Sequence, residues 1–211
     1  MQVLVSPLRF ESLIFGNAMD AKAAVVYLHG KGGFGRGATG QFEWPDMATL
    51  LYRREIHPAL PVIIACALDG DRYQIDALIQ YLDEIKQTFG LQHIHIIGFS
   101  RGGLAAYQLA ERGYPLASLT IINANCPTPA GQSQCQGPIS RFASPLHIVQ
   151  GEADDRVDVA AVKAFVAEYE GELIYTQWDG DHYIVADVLA DPTLWQWIAD
   201  KHGPSNINGL T

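Results

Sequence analysis

Hydrophobic and polar positions along the chain alternate between two periods. Short apolar runs rich in Val, Ile and Leu, each ending in Gly, Asp or Asn, read as buried strands at Ala23 to Leu28, Pro61 to Leu68, His93 to Ile97, Ser118 to Asn123, Leu146 to Gln150 and Leu173 to Trp178. Two weaker runs, Gln2 to Val5 and Arg9 to Phe15, suggest an amino-terminal hairpin or edge pair. Helical patterns fill the gaps. Tyr73, Ile75, Leu78, Ile79, Leu82, Ile85 and Phe89 fall on one helical face, with Asp71 available as a cap and Gly90 placed as a stop. Ala105 to Arg112 reads as a helix ending at Gly113, and Val159, Val162, Phe165, Val166 and Tyr169 form a further stripe. Pro45 and Pro192 stand where first-turn prolines are tolerated, opening Asp46 to Glu55 and Thr193 to Lys201.

Strands alternating with helices predict an α/β fold, a mostly parallel central sheet with helices on both faces. No internal repeat interrupts it. The polar stretch Cys126 to Ser144 reads as a loop or small insertion within one domain spanning 1–203, and residues 204–211 as a flexible tail.

Composition narrows the function classes. Apolar residues make up 48% of the chain and charged residues 18%, enough for a core and too apolar for disorder. The net charge of −9 and the lack of a Lys/Arg cluster exclude nucleic acid as an expected partner. Apolar runs such as Val62 to Leu68 are too short to span a bilayer. The amino terminus lacks the basic and apolar regions of a signal peptide, so a cytoplasmic protein is expected. The three cysteines, Cys66, Cys126 and Cys135, lack metal-ligand spacing, and reduced thiols are expected, with Cys66 buried.

The sharpest motif is Gly98-Phe99-Ser100-Arg101-Gly102, which follows one strand directly and precedes a helix. That is the pattern of a nucleophile elbow, in which a strained turn exposes a serine and flanking glycines avoid collision with the neighbouring strand and helix. A serine hydroxyl needs a base to take its proton and an acid to orient that base. Both stand after later strands: Asp154 within Gly151 to Val157, and His182 within Gly180-Asp181-His182. Asp155 is the competing acid. Backbone donors for an oxyanion are expected from the N–H of Arg101 and from the loop His29-Gly30-Lys31-Gly32-Gly33, at Lys31 or, failing that, Gly32.

Four motifs in this order resemble the α/β-hydrolase superfamily, and within it the small carboxylesterase, phospholipase and acyl-protein thioesterase family, with dienelactone hydrolases as relatives. The resemblance spans nearly the whole chain. It implies an α/β-hydrolase fold with Ser100 as nucleophile, Asp154 as acid, His182 as base, the Lys31 and Arg101 amides as oxyanion hole, and neither cofactor nor metal. The chain departs from that family in carrying Lys31 and Arg101 where Leu and Gln are common, and in having no proline after Val157. Where larger members insert a helical cap, only 126–144 is available, so a minimal lid or none is expected.

Among the remaining histidines, His93, His95 and His147 lie in strands, His57 and His202 beyond helices, and His29 precedes the oxyanion loop, whose shape it is expected to support. Gly30, Gly32 and Gly35 also match a dinucleotide fingerprint, but Gly37, Gly40 and Pro45 interrupt the helix it requires. Phe34, Phe42, Trp44 and Tyr183 neighbour these loops; Phe34, Trp44 and Tyr183 are candidates to bind substrate, with plain packing as the competing role. The expected activity is hydrolysis of small carboxylic esters or thioesters through an acyl-enzyme. The alternatives are a hydrolase-like binding protein with silent chemistry, a peptidase or an acyltransferase.

Overall fold

A computed structural model of the chain describes residues 1–125 and 142–201. Eight strands form one sheet: β1 (Gln2–Ser6), β2 (Phe10–Phe15), β3 (Ala23–Leu28), β4 (Val62–Ala67), β5 (His93–Phe99), β6 (Ser118–Ile122), β7 (Leu146–Gly151) and β8 (Leu173–Trp178), in the order β1-β2-β4-β3-β5-β6-β7-β8. The hairpin β1–β2 adds to β4 antiparallel, with Ser12 opposite Ala65, and every other pairing is parallel. Every residue of β3, β4 and β6 is buried, which is why these strands read as unbroken apolar runs.

The helices are α1 (Gly37–Gly40), α2 (Met47–Tyr52), α3 (Ile75–Phe89), α4 (Arg101–Glu111), α5 (Val159–Glu168), α6 (Val185–Ala190) and α7 (Pro192–Asp200), with a 3-10 turn at Lys31–Gly33. Strand alternation divides the core between the two faces of the sheet. Val26, Leu28, Ile96 and Ile121 pack with Leu78 and Leu82 of α3, Leu109 of α4 and Val162 of α5. Their neighbours Val25, Tyr27 and Ile97 pack with Met47 of α2, Val188 of α6 and Leu194 and Ile198 of α7. Helices cover both faces, as expected of an α/β-hydrolase fold.

Element boundaries differ from the sequence reading in instructive places. Helix α3 is preceded by Gln74 and has no side-chain cap; Asp71 stands three residues further back, where its carboxylate accepts from Arg101. Gly90 does end α3, at φ 64°. Helix α4 starts at Arg101, four residues before the expected Ala105; the intervening glycines, poor helix formers, are tolerated where close packing needs them. Pro45 lies before Asp46, which caps the short α2 by accepting from the Met47 N–H, so the proline is outside the helix. At α7 the expectation holds in position: Asp191 caps and Pro192 is the first helical residue.

Cys66 is buried and unpaired, and burial, reinforced by Glu11, pushes its thiol up to about 12. Cys126, Cys135, His202, the loop and lid expectation for 126–141 and the tail lie outside the described residues. Among the described residues no helix is long and apolar enough to cross a membrane.

Candidate active site

Ser100 occupies the junction of β5 and α4 with φ 53° and ψ −111°, a conformation few side chains adopt. Its N–H donates to the Ile122 carbonyl at 2.9 Å, tying the turn to the next strand. The flanking glycines carry the close approach: a Cβ on Gly98 would sit 2.5 Å from the Gly102 carbonyl oxygen, and one on Gly102 would run into the Leu28 carbonyl. The elbow is thus wedged between β3 and α4 with no room for side chains.

Asp154 follows β7 and His182 follows β8. His182 Nδ1 lies 2.9 Å and 3.1 Å from the two carboxylate oxygens of Asp154, and its Nε2 lies 3.0 Å from Ser100 Oγ. Asp154 also accepts from the N–H groups of Arg156 at 2.8 Å and Val157 at 3.1 Å, and from Gln150 Nε2 at 3.2 Å. Burial raises its carboxyl pKa, but the His182 and backbone hydrogen bonds outweigh that and hold it below the usual carboxylate range. An ionised Asp154 accepts the Nδ1–H, which leaves the Nε2 lone pair facing the serine hydroxyl. Both partners are buried, with Asp154 8% and His182 5% exposed. The side chain of Asp155, by contrast, is 85% exposed and lies 3.9 Å from Arg156.

Arg101 is the first residue of α4, so its N–H is among those with no carbonyl one turn earlier to meet. Lys31 opens the 3-10 turn after β3. Lys31, Ser100, Arg101 and His182 all line one cavity of about 420 Å³, together with Tyr73 and Asn123. His29 supports the first of these loops: its Nε2 accepts from the Ala67 N–H at 3.3 Å and its Nδ1 donates to the Gly30 carbonyl at 2.8 Å. Desolvation lowers its pKa to about 4, so it is neutral at pH 7.

Phe34, Trp44 and Tyr183 are not among the residues that line the cavity. Phe34 packs against His29 and Tyr73, Trp44 lies over Gly32 and is half exposed, and Tyr183 lies under the Arg156 guanidinium. Phe42 packs on Tyr52. His95 bonds Ser118 Oγ and His147 bonds Thr176 Oγ1, so both serve the sheet.

Sequence reasoning missed Asn123. It follows β6 directly at φ 44°, its Oδ1 accepts from the Gly151 N–H at 2.7 Å, and its Nδ2 donates to the Asp181 carbonyl at 2.9 Å. One side chain therefore ties the turn that leads to Asp154 to the loop that carries His182. An Asn at a strand's carboxyl end, where left-handed backbone suits it, was the available signal.

The family model described as alpha/beta hydrolase fold matches residues 35–161. The chain belongs to the alpha/beta-hydrolase family. Solved structures similar to this alpha/beta hydrolase include an alpha-beta serine hydrolase homologue from Coxiella burnetii, at 18% identity and TM-score 0.67, covering 96% of each chain. A phospholipase/carboxylesterase from Dyadobacter fermentans is similar at 17% identity and TM-score 0.61, covering 89% of this chain and 95% of the other. The type II thioesterase BorB from the borrelidin biosynthetic cluster is similar at 16% identity and TM-score 0.61, covering 94% and 97%. No curated protein sequence matches the chain.

Proposed function

We propose that the chain is a serine hydrolase of carboxylic esters or thioesters that works through an acyl-enzyme. One observation carries this reading: a buried histidine bridges an ionised carboxylate and a strained serine, at 2.9 Å and 3.0 Å, beside an open cavity. His182 takes the hydroxyl proton as Ser100 Oγ bonds to the acyl carbon, and Asp154 holds the imidazole in the required tautomer. The tetrahedral oxyanion rests on the N–H groups of Lys31 and Arg101; losing one such donor costs on the order of 3 kcal/mol. His182 then gives its proton to the departing alcohol or thiol. Water, deprotonated by His182, attacks the acyl-serine and releases the carboxylic acid and free Ser100.

Similarity in fold to a phospholipase/carboxylesterase and to a thioesterase supports both ester classes at the level of architecture. The test is intact mass after exposure to a fluorophosphonate. The wild type is expected to gain one adduct and Ser100→Ala none, with the variant folded and without turnover of any activated ester. No adduct on folded wild type would overturn the proposal and favour a binding protein with silent chemistry.

A further inference from the structure

The cavity above Ser100 reverses the charge sign of the protein. The chain carries 14 Lys and Arg against 23 Asp and Glu, yet among the described residues the charged ones that line the cavity are all cationic: Lys31, Arg72, Arg101 and Arg156. They arrive from four separate segments, after β3, after β4, at the start of α4 and after β7. Only part of this charge is balanced among the described residues, where the ionised Asp154 carboxylate bonds His182 and the Arg156 N–H. Asp71 serves two guanidiniums at once, accepting from Arg101 at 2.6 Å and reaching Arg72 at 3.4 Å. Those contacts hold the Asp71 carboxyl below its usual range. Arg156 approaches Asp155 only at 3.9 Å, and Lys31 makes no ion pair among the described residues. The N-terminus of α4 points its free N–H groups at the same place, with the same sign.

Four like charges converging on one cavity repel one another, and a bound anion relieves that repulsion. Planar guanidiniums suit carboxylate and phosphate oxygens in particular. We propose that the molecule cleaved at Ser100 is an anionic ester or thioester whose carboxylate or phosphate oxygens are held in this cavity by Arg72, Arg101, Arg156 and Lys31. The inference rests on the serine-hydrolase reading and gives it a substrate class. The net charge of the chain points the other way, but the local field at a cleft is set by its own lining.

The test compares kcat/KM within two pairs of substrates. In the first, para-nitrophenyl hexanoate is set against mono-para-nitrophenyl adipate, which adds a carboxylate to the acyl side. In the second, the hexanoyl thioester of N-acetylcysteamine is set against that of coenzyme A, which adds phosphates to the leaving group. The wild type is expected to favour the anionic member of at least one pair by about tenfold or more, and which pair shows it identifies the source of the charge. That preference is expected to fall toward unity in the double variant Arg72→Gln/Arg156→Gln, whose side chains are 49% and 58% exposed and so tolerate replacement. It is also expected to weaken with rising salt. Anionic members turned over no better than their neutral partners would overturn the inference. If a fluorophosphonate adduct still forms on Ser100, the hydrolase reading survives that result; if none forms, both fail together.

Discussion

Replacing Asn123 separates the scaffold of the site from its chemistry. Its side chain makes a buried hydrogen bond to the Gly151 N–H and a half-buried one to the Asp181 carbonyl, and its backbone sits at φ 44°. Asn123→Gly removes both bonds while keeping the left-handed backbone cheap. The deserted, buried Gly151 N–H costs roughly 1–3 kcal/mol and the half-buried Asp181 carbonyl less, so a loss of about 2 kcal/mol is expected. For a chain of this size that lowers Tm by roughly 4–8 °C. Asn123→Ala adds about 1–2 kcal/mol, because an L-residue with a Cβ pays for this φ and glycine does not. The same tether places His182, which follows Asp181 directly, so both variants are expected to lose roughly tenfold to a hundredfold in kcat, the scale of an ångström's misplacement. Thermal unfolding followed by circular dichroism and steady-state ester kinetics read the two effects. Wild-type Tm in both variants, or a lowered Tm with undiminished kcat, would refute the reasoning.

Two further outcomes follow from the same geometry. Gly102→Ala forces a Cβ against the Leu28 carbonyl and within 2.9 Å of the His29 carbonyl, so stability is expected to fall by about 1–3 kcal/mol with turnover lost; near-normal unfolding and kinetics would contradict the wedged elbow. His29 has its pKa lowered from 6.5 to about 4 by burial, so the unfolded chain binds its proton more readily between these values. Its contribution is therefore complete above pH 6.5 and is lost as pH falls through about 4, amounting to about 3 kcal/mol. Urea midpoints measured across that window are expected to drop less steeply in His29→Asn, and parallel curves would refute the assignment.

The parts of the fold that read clearly in the sequence are those governed by local pattern. The runs Ala23–Leu28 and Leu173–Trp178 match their strands residue for residue, because the apolar period and the flanking breakers are both local. The start of α4 did not read so clearly. Gly102 and Gly103 look like helix breakers, and only the closeness of the Leu28 carbonyl and the Ala124 side chain explains why glycine stands there. The order Ser100, Asp154, His182 is visible along the chain, whereas their hydrogen bonds depend on which strands lie side by side. Asn123 was obscured for the same reason: both its partners are distant in sequence, at separations of 28 and 58 residues. Nearness in sequence to the loops is all that points to Phe34, Trp44 and Tyr183 as substrate contacts, and which groups their rings meet, His29, Gly32 and Arg156, depends on the fold.

Charge shows most plainly how a sum over the chain misleads about a site. At −9 the protein as a whole repels anions, and a sequence total cannot say where its charges stand. At physiological ionic strength screening acts over about 8 Å, so acidic groups on distant helices contribute little inside a cleft. What counts inside the cavity is the charge of its lining: Lys31 after β3, Arg72 after β4, Arg156 after β7 and Arg101 at the start of α4. A parallel sheet brings these segments together at the carboxyl ends of its strands, the same edge that carries Ser100, Asp154 and His182. Asp71 makes the point at the level of one residue. Its sequence position suggests a helix cap, but its carboxylate is drawn to two arginines that line the cavity, and it is too few by itself to neutralise them. The topology that gathers the candidate triad therefore also gathers the four cationic side chains that line the cavity beside it.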